Sequence, residues 1–267
     1  MKRLLFIFFL VFFTSPLFAQ ETKPLAIGEI KTLKSVVLKE DRTLNIYLPS
    51  TYDSSKSYPV IYVLDGSMNE DFLHITGLVQ FFNMTFGMPD FIVVGIANVD
   101  RKRDFTFHTD LKDLKKDYPT TGHSEKFIRF IESELQPYIS KQYKTTDTRY
   151  LIGQSLGGLL ASEILLKHST LFTHYLIVSP SLWWDDESLL KAAPELVAKQ
   201  ELSGTFVYVS VGKGEDKIMQ REASELYGLL KKANKPGLQT AFKLMTDDNH
   251  ATILHRSLYE ALLILFP

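Results

Sequence analysis

The chain has 267 residues, 45% of them hydrophobic, a formal charge of −1 and no cysteine. That length admits one large α/β domain or two small ones. A balanced charge argues against a general nucleic-acid binder, which needs a basic surplus. Without cysteine there is no disulfide framework and no lipid-attachment cysteine, so a packed core must hold the fold.

Met1-Lys2-Arg3 is positive, and Leu4 to Phe13 is almost wholly aliphatic and aromatic. Ser15-Pro16 breaks this run, and Ala19 then offers a small residue for cleavage. The pattern predicts a signal peptide over 1–19, an exported protein, and no stable membrane association after cleavage. The apolar run is short for a membrane span of about 20 residues. One domain is expected over 20–267.

Along that stretch, runs rich in Val, Ile, Leu, Phe and Tyr recur at Ser35–Leu38, Leu44–Leu48, Pro59–Leu64, Phe91–Ile96, Tyr150–Ile152, Tyr175–Val178, Phe206–Val211 and Thr240–Met245. The later runs are continuous, which suits strands buried on both faces. No helix fits between the first two, so they are expected to form an antiparallel hairpin. Helical stripes follow at Phe127, Ile128, Ile131, Leu135 and Ile139, at Leu156 to Lys167, at Ala223, Leu226, Leu229 and Leu230, and at Ile253, Leu254, Leu258, Leu262 and Leu263. Strands alternating with helices predict an α/β fold: a mostly parallel sheet of about eight strands, covered on both faces. Asp53 to Tyr58 and Asn98 to Gly122 read as loops, and the second is long enough to suggest a functional role.

Gly153-Gln154-Ser155-Leu156-Gly157 is a G-x-S-x-G run between a strand and a helix. Composition alone makes the pattern weak, with ~0.1 chance matches in a chain this long. The strand–turn–helix setting makes it a nucleophile elbow. Glycines allow the tight turn, and the helix N-terminus favours developing negative charge. A serine hydroxyl needs a base to take its proton. Of seven histidines, His250 is chosen. It follows the last strand and a polar turn, Thr246-Asp247-Asp248-Asn249, at the sheet edge that also carries Ser155. His74, His168, His174 and His255 fall on helices or their ends, His123 precedes a helix, and His108 in the long loop is a candidate substrate contact. The acid is expected between Ser155 and His250 after a late strand, where Glu215 and Asp216 stand side by side; Asp185 and Asp186 are weaker choices. The Leu156 amide and that of Gly66 or Ser67 are the expected oxyanion donors.

Five segments, Val63–Ser67 (V-L-D-G-S), Gly153–Gly158 (G-Q-S-L-G-G), Ser179–Trp184 (S-P-S-L-W-W), Gly212–Glu215 (G-K-G-E) and Asp248–His250 (D-N-H), carry a family likeness in their order. They resemble the esterase family of α/β-hydrolases, with enterochelin-type siderophore esterases, feruloyl and acetylxylan esterases, S-formylglutathione hydrolases and mycolyltransferases among its members. The likeness runs from about Ile27 onward and is greatest to the siderophore-esterase branch. It implies Ser155 as nucleophile, His250 as base and Glu215 rather than Asp216 as acid, although some relatives look like Ser–His dyads. It also implies Trp183 and Trp184 near the pocket, and it aligns Arg103 with a loop where an arginine grips substrate or pairs with Asp104. The expected activity is hydrolysis of a small-molecule carboxylic ester, of siderophore or acylated-sugar type, with no cofactor, no metal and no nucleic-acid partner. Acyl transfer on the same fold and a non-catalytic binding role are the competing readings.

Overall fold

The computed structural model describes residues 23–267. The expected signal peptide lies outside the described residues. Eight strands form one sheet: β1 (Glu29–Ser35), β2 (Glu40–Tyr47), β3 (Tyr58–Val63), β4 (Ile92–Ile96), β5 (Thr145–Gln154), β6 (His174–Val178), β7 (Phe206–Gly212) and β8 (Gln239–Met245). Their spatial order is β1-β2-β4-β3-β5-β6-β7-β8. β1 and β2 pair antiparallel, as expected for a hairpin, and β2 pairs antiparallel with β4. All remaining pairs are parallel. The C-terminal ends of β3 to β8 therefore gather at one rim.

Strand side chains alternate between two cores. Val60, Tyr62 and Leu64 face one, and Ile61 and Val63 face the other. The first core is closed by α2 (Arg101–Phe105), α4 (Ser124–Phe130), α5 (Gln136–Gln142), α6 (Leu156–Lys167), α7 (Trp184–Lys199) and α8 (Lys217–Ala233). The second is closed by α1 (Phe72–Phe86) and α9 (Ile253–Leu265). A short α3 (Lys112–Asp117) lies on the surface. Each fully buried Leu, Ile, Val or Phe contributes about 1.5–3 kcal/mol, which removes the need for cross-links.

The first strand differs from expectation. Ser35–Leu38 was expected as a strand, but β1 ends at Ser35 and residues 36–39 turn. Glu134 causes this. Its carboxylate accepts the Val36 amide at 2.8 Å, the Val37 amide at 3.0 Å and the Ser35 hydroxyl. Three donors on one distant carboxylate override the strand preference of Val36-Val37. The 98–122 stretch also differs, because it contains α2 and α3.

Candidate active site

Ser155 caps α6 with φ 60° and ψ −120°, a conformation disfavoured for any residue with a side chain. The end of β6 holds it there. The Ser155 amide donates to Val178 O at 3.1 Å, and its carbonyl accepts from the Ser181 amide at 3.0 Å. Gly153 is required sterically, since a Cβ there would lie 2.4 Å from Gly157 O. The second obligatory glycine is Gly158 rather than Gly157. A Cβ on Gly158 would meet Pro180 Cα at 2.9 Å, whereas on Gly157 the nearest atom is 3.4 Å away. The elbow thus presses against the S-P-S turn after β6. The Ser155 side chain is half-buried, with its Oγ 3.4 Å from Ser181 Oγ.

His250 and Glu215 meet at the same rim. His250 Nδ1 lies 2.7 Å from Glu215 Oε2. Glu215 Oε1 accepts from the Ser179 hydroxyl at 2.5 Å and from the Gly212 amide at 2.7 Å. The Glu215 carboxylate has no solvent exposure, while the imidazole is 43% exposed. Burial, the largest single influence, pushes the carboxyl up. The hydrogen bonds from His250, Ser179 and Gly212 together outweigh it and hold the group below the usual glutamate range. Asp216 is exposed and points elsewhere, capping α8 by accepting the Ile218 amide at 2.8 Å. Gln154 joins the elbow to the histidine loop, since its Nε2 donates to His250 O at 2.5 Å. Ser155 Oγ and the imidazole share no hydrogen bond in this resting arrangement; the hydroxyl is turned to Ser181.

The expected oxyanion donors fare unequally. As the first residue of α6, Leu156 has an amide with no intrahelical acceptor. Gly66 must be corrected. Its amide is committed to Ile96 O at 3.0 Å, and its missing side chain serves packing, since a Cβ would lie 2.4 Å from Gly95 Cα. The Ser67 amide is held more loosely, 3.3 Å from the exposed Glu70 carboxylate. Asp65, at φ 55°, anchors this loop. It takes a bidentate pair from Arg101 at 2.6 and 2.9 Å, and Arg101 Nη2 also reaches Gln154 O at 3.2 Å. The sequence places Arg101 in the long 98–122 loop and Ser179 in a family-like segment but assigns neither a role. A clue lay in the family-like segments, which contain Asp65 and Ser179 themselves.

The proposed substrate contacts separate. Trp184 has no exposed surface, and its Nε1 donates to Phe107 O at 3.0 Å, so it belongs to the core and not to a pocket wall. Trp183 keeps partial exposure beside Tyr118, with ring centroids 6.4 Å apart. Arg103 pairs with Asp104 at 2.7 Å, the structural one of its two expected roles, and with Glu40 at 2.6 and 3.0 Å, which clamps α2 to β2 and leaves no substrate grip. His108 is 71% exposed and pairs with Asp110 at 3.2 Å. Asp185 accepts from Thr109, and Asp186 pairs with Lys191. Of the remaining histidines, His74 packs on His255, His174 stacks on Tyr150 and His168 faces Glu125. Among the described residues, no group of three or more His, Cys, Asp or Glu converges as a metal set.

Glu222 of α8 is fully buried, and its Oε2 has no partner. Burial first, and then the Glu187 charge, push its carboxyl up to about 7 against the pull of Arg221. The folded value lies above the unfolded one, so this group costs no stability at low pH and costs progressively more as pH rises from about 4.5 to 7. Glu222→Gln is therefore expected to raise Tm at pH 8 by the equivalent of about 1–2 kcal/mol. The gain should vanish near pH 4. Thermal melts across that range check this, and a gain independent of pH would contradict it.

Comparison with known proteins shows the family and the fold. The model of the esterase family, described as "Putative esterase", matches residues 35–256. The chain belongs to this family. Ferri-bacillibactin esterase BesA of Bacillus subtilis is 30% identical over 238 residues, 80% of this chain and 82% of that protein. An IroE-like serine hydrolase from Shewanella oneidensis superposes with TM-score 0.82 at 32% identity, covering 90% of this chain and 80% of the other. The BES protein from Bacillus cereus gives 0.81 at 30% identity, covering 91% and 96%. The chain is a carboxylic ester hydrolase on the α/β-hydrolase fold.

Proposed function

We propose that this protein is a serine esterase in which Ser155, His250 and Glu215 act as a triad on an ester of a siderophore. The 2.7 Å contact between His250 Nδ1 and Glu215 Oε2, at the rim that carries Ser155, is the observation that supports it most strongly. With Nδ1–H given to the carboxylate, Nε2 is the basic nitrogen. When substrate arrives, Ser155 Oγ must exchange its contact with Ser181 for one with Nε2, the tightening expected of a catalytic hydrogen bond that is long in the free enzyme. Oγ then attacks the ester carbonyl carbon and its proton passes to Nε2. The amides of Leu156 and Ser67 hold the resulting oxyanion. Collapse breaks the C–O bond, and the leaving alcohol takes the proton from Nε2. Water then attacks the acyl-enzyme with Nε2 again as base, releasing the acid and restoring Ser155.

The substrate class is carried over from the 30% identical BesA, named as a ferri-bacillibactin esterase. The export reading rests on the Met1–Gln20 pattern. The test is a turnover screen across siderophore esters, feruloyl and acetyl sugar esters, and short-chain aryl esters, using protein recovered from the cell envelope. Siderophore esters are expected to give the highest kcat/KM. Preference for a sugar ester would reject the substrate class, and an intact mass that retains Met1 would reject signal-peptide cleavage.

A further inference from the structure

We infer that Ser179 is a positioning residue of the esterase site, holding Glu215 Oε1 so that Oε2 faces His250. The inference rests on the triad reading above and adds a fourth side chain to it. Ser179 has no exposed surface, and its hydroxyl donates to Oε1 at 2.5 Å. A buried carboxylate with one occupied oxygen could rotate about its terminal bond. Two donors on Oε1, Ser179 and the Gly212 amide, stop that rotation.

The backbone of Ser179 is also unusual. Its φ is 43°, in the left-handed region that costs a serine free energy. The chain accepts that cost between two anchors. The Ser179 amide donates to Ser210 O at 2.8 Å, and two residues later the Ser181 amide donates to Ser155 O at 3.0 Å. The same three-residue turn therefore sets the acid through a side chain and the nucleophile through the backbone. Pro180 between them has no amide to satisfy and packs on Gly158. A one-residue displacement of this turn would misplace both ends of the triad together.

The groups that bear on Glu215 are few. His250 is the titratable one, and the Ser179 hydroxyl and Gly212 amide are neutral donors. Removing the hydroxyl raises the proton affinity of the carboxylate and of the hydrogen-bonded pair that it forms with His250. The acid limb of the kcat/KM profile, where that pair takes up a proton, must then move to higher pH.

Ser179→Gly makes the cleanest test, because glycine takes a positive φ without strain. A purely conformational role predicts unchanged activity and equal or higher Tm. The positioning role predicts a kcat/KM loss of about 10- to 100-fold, carried by kcat, and the upward shift of the acid limb, with a Tm in which the lost buried hydrogen bond offsets the relieved strain. Ser179→Ala, which keeps the strain, should show the same two kinetic effects. Glu215→Gln is measured alongside. If it loses turnover while both Ser179 variants keep wild-type kcat/KM and pH profile, the inference fails and the triad stands. If Glu215→Gln keeps full turnover, both fail.

Discussion

Ser155→Ala is expected to lower kcat on any ester substrate by about 10⁴-fold or more, equivalent to about 5.5 kcal/mol of transition-state stabilisation. The loss should be one of kcat, with KM little changed, because the hydroxyl works in the bond-forming step. The fold should survive. Ser155 is held by its own amide and carbonyl, through Val178 O and the Ser181 amide, and alanine keeps both bonds. The residual rate would come from the amides that bind the oxyanion, which no side-chain change removes. Steady-state kinetics on a short-chain aryl ester checks this. A variant within tenfold of wild type would remove Ser155 from the mechanism.

Glu215→Gln should cost about 10³- to 10⁴-fold in kcat. The amide preserves shape but removes the charge that steadies the imidazolium. Its NH₂ also donates to Nδ1, which forces the histidine proton onto Nε2 and blocks acceptance from Ser155. The neighbouring Asp216→Asn is the control. Asp216 accepts only the Ile218 amide at the start of α8, so this change should lower stability by about 0.5–1 kcal/mol at most and leave turnover intact. Wild-type kcat in Glu215→Gln with a large loss in Asp216→Asn would reverse the assignment.

Much of the fold is legible in the sequence. The alternation of apolar runs with 3.6-residue stripes points to a mostly parallel sheet covered on both faces, because strands buried on both sides are continuous in apolar character. Ser155 declares itself through glycines on both sides at a strand–helix junction. Long-range contacts were harder to read. Glu134 turning residues 36–39 leaves no local sign, since the partners lie about 98 positions apart. α1 carries four Phe, two Thr, an Ile, a Val and a glycine, residues of low helix propensity, and its order comes from Phe72, Ile75, Val79 and Phe82, which it buries. α7 opens with left-handed Asp185, Asp186 and Glu187 and contains Pro194, so its pattern is obscured. Glu215 and Asp216 are one residue apart and chemically alike. Only the loop geometry after β7, with Gly212 lying against Asp248 O, sends one toward His250 and the other to the helix. Gly66 was misjudged for a related reason. A glycine after a strand serves either to present an amide or to admit a neighbouring backbone, and sequence does not separate the two.

The arrangement makes a single demand: among all the hydroxyls of the chain, the one on Ser155 must be the reactive one. Treatment with a fluorophosphonate probe, followed by mass spectrometry of the labelled peptide, measures this directly. The expected result is one adduct per chain, on the peptide spanning Gly153 to Lys167, lost in Ser155→Ala. An adduct on Ser179, Ser181 or any other residue in the wild-type protein, or undiminished labelling of Ser155→Ala, would contradict it.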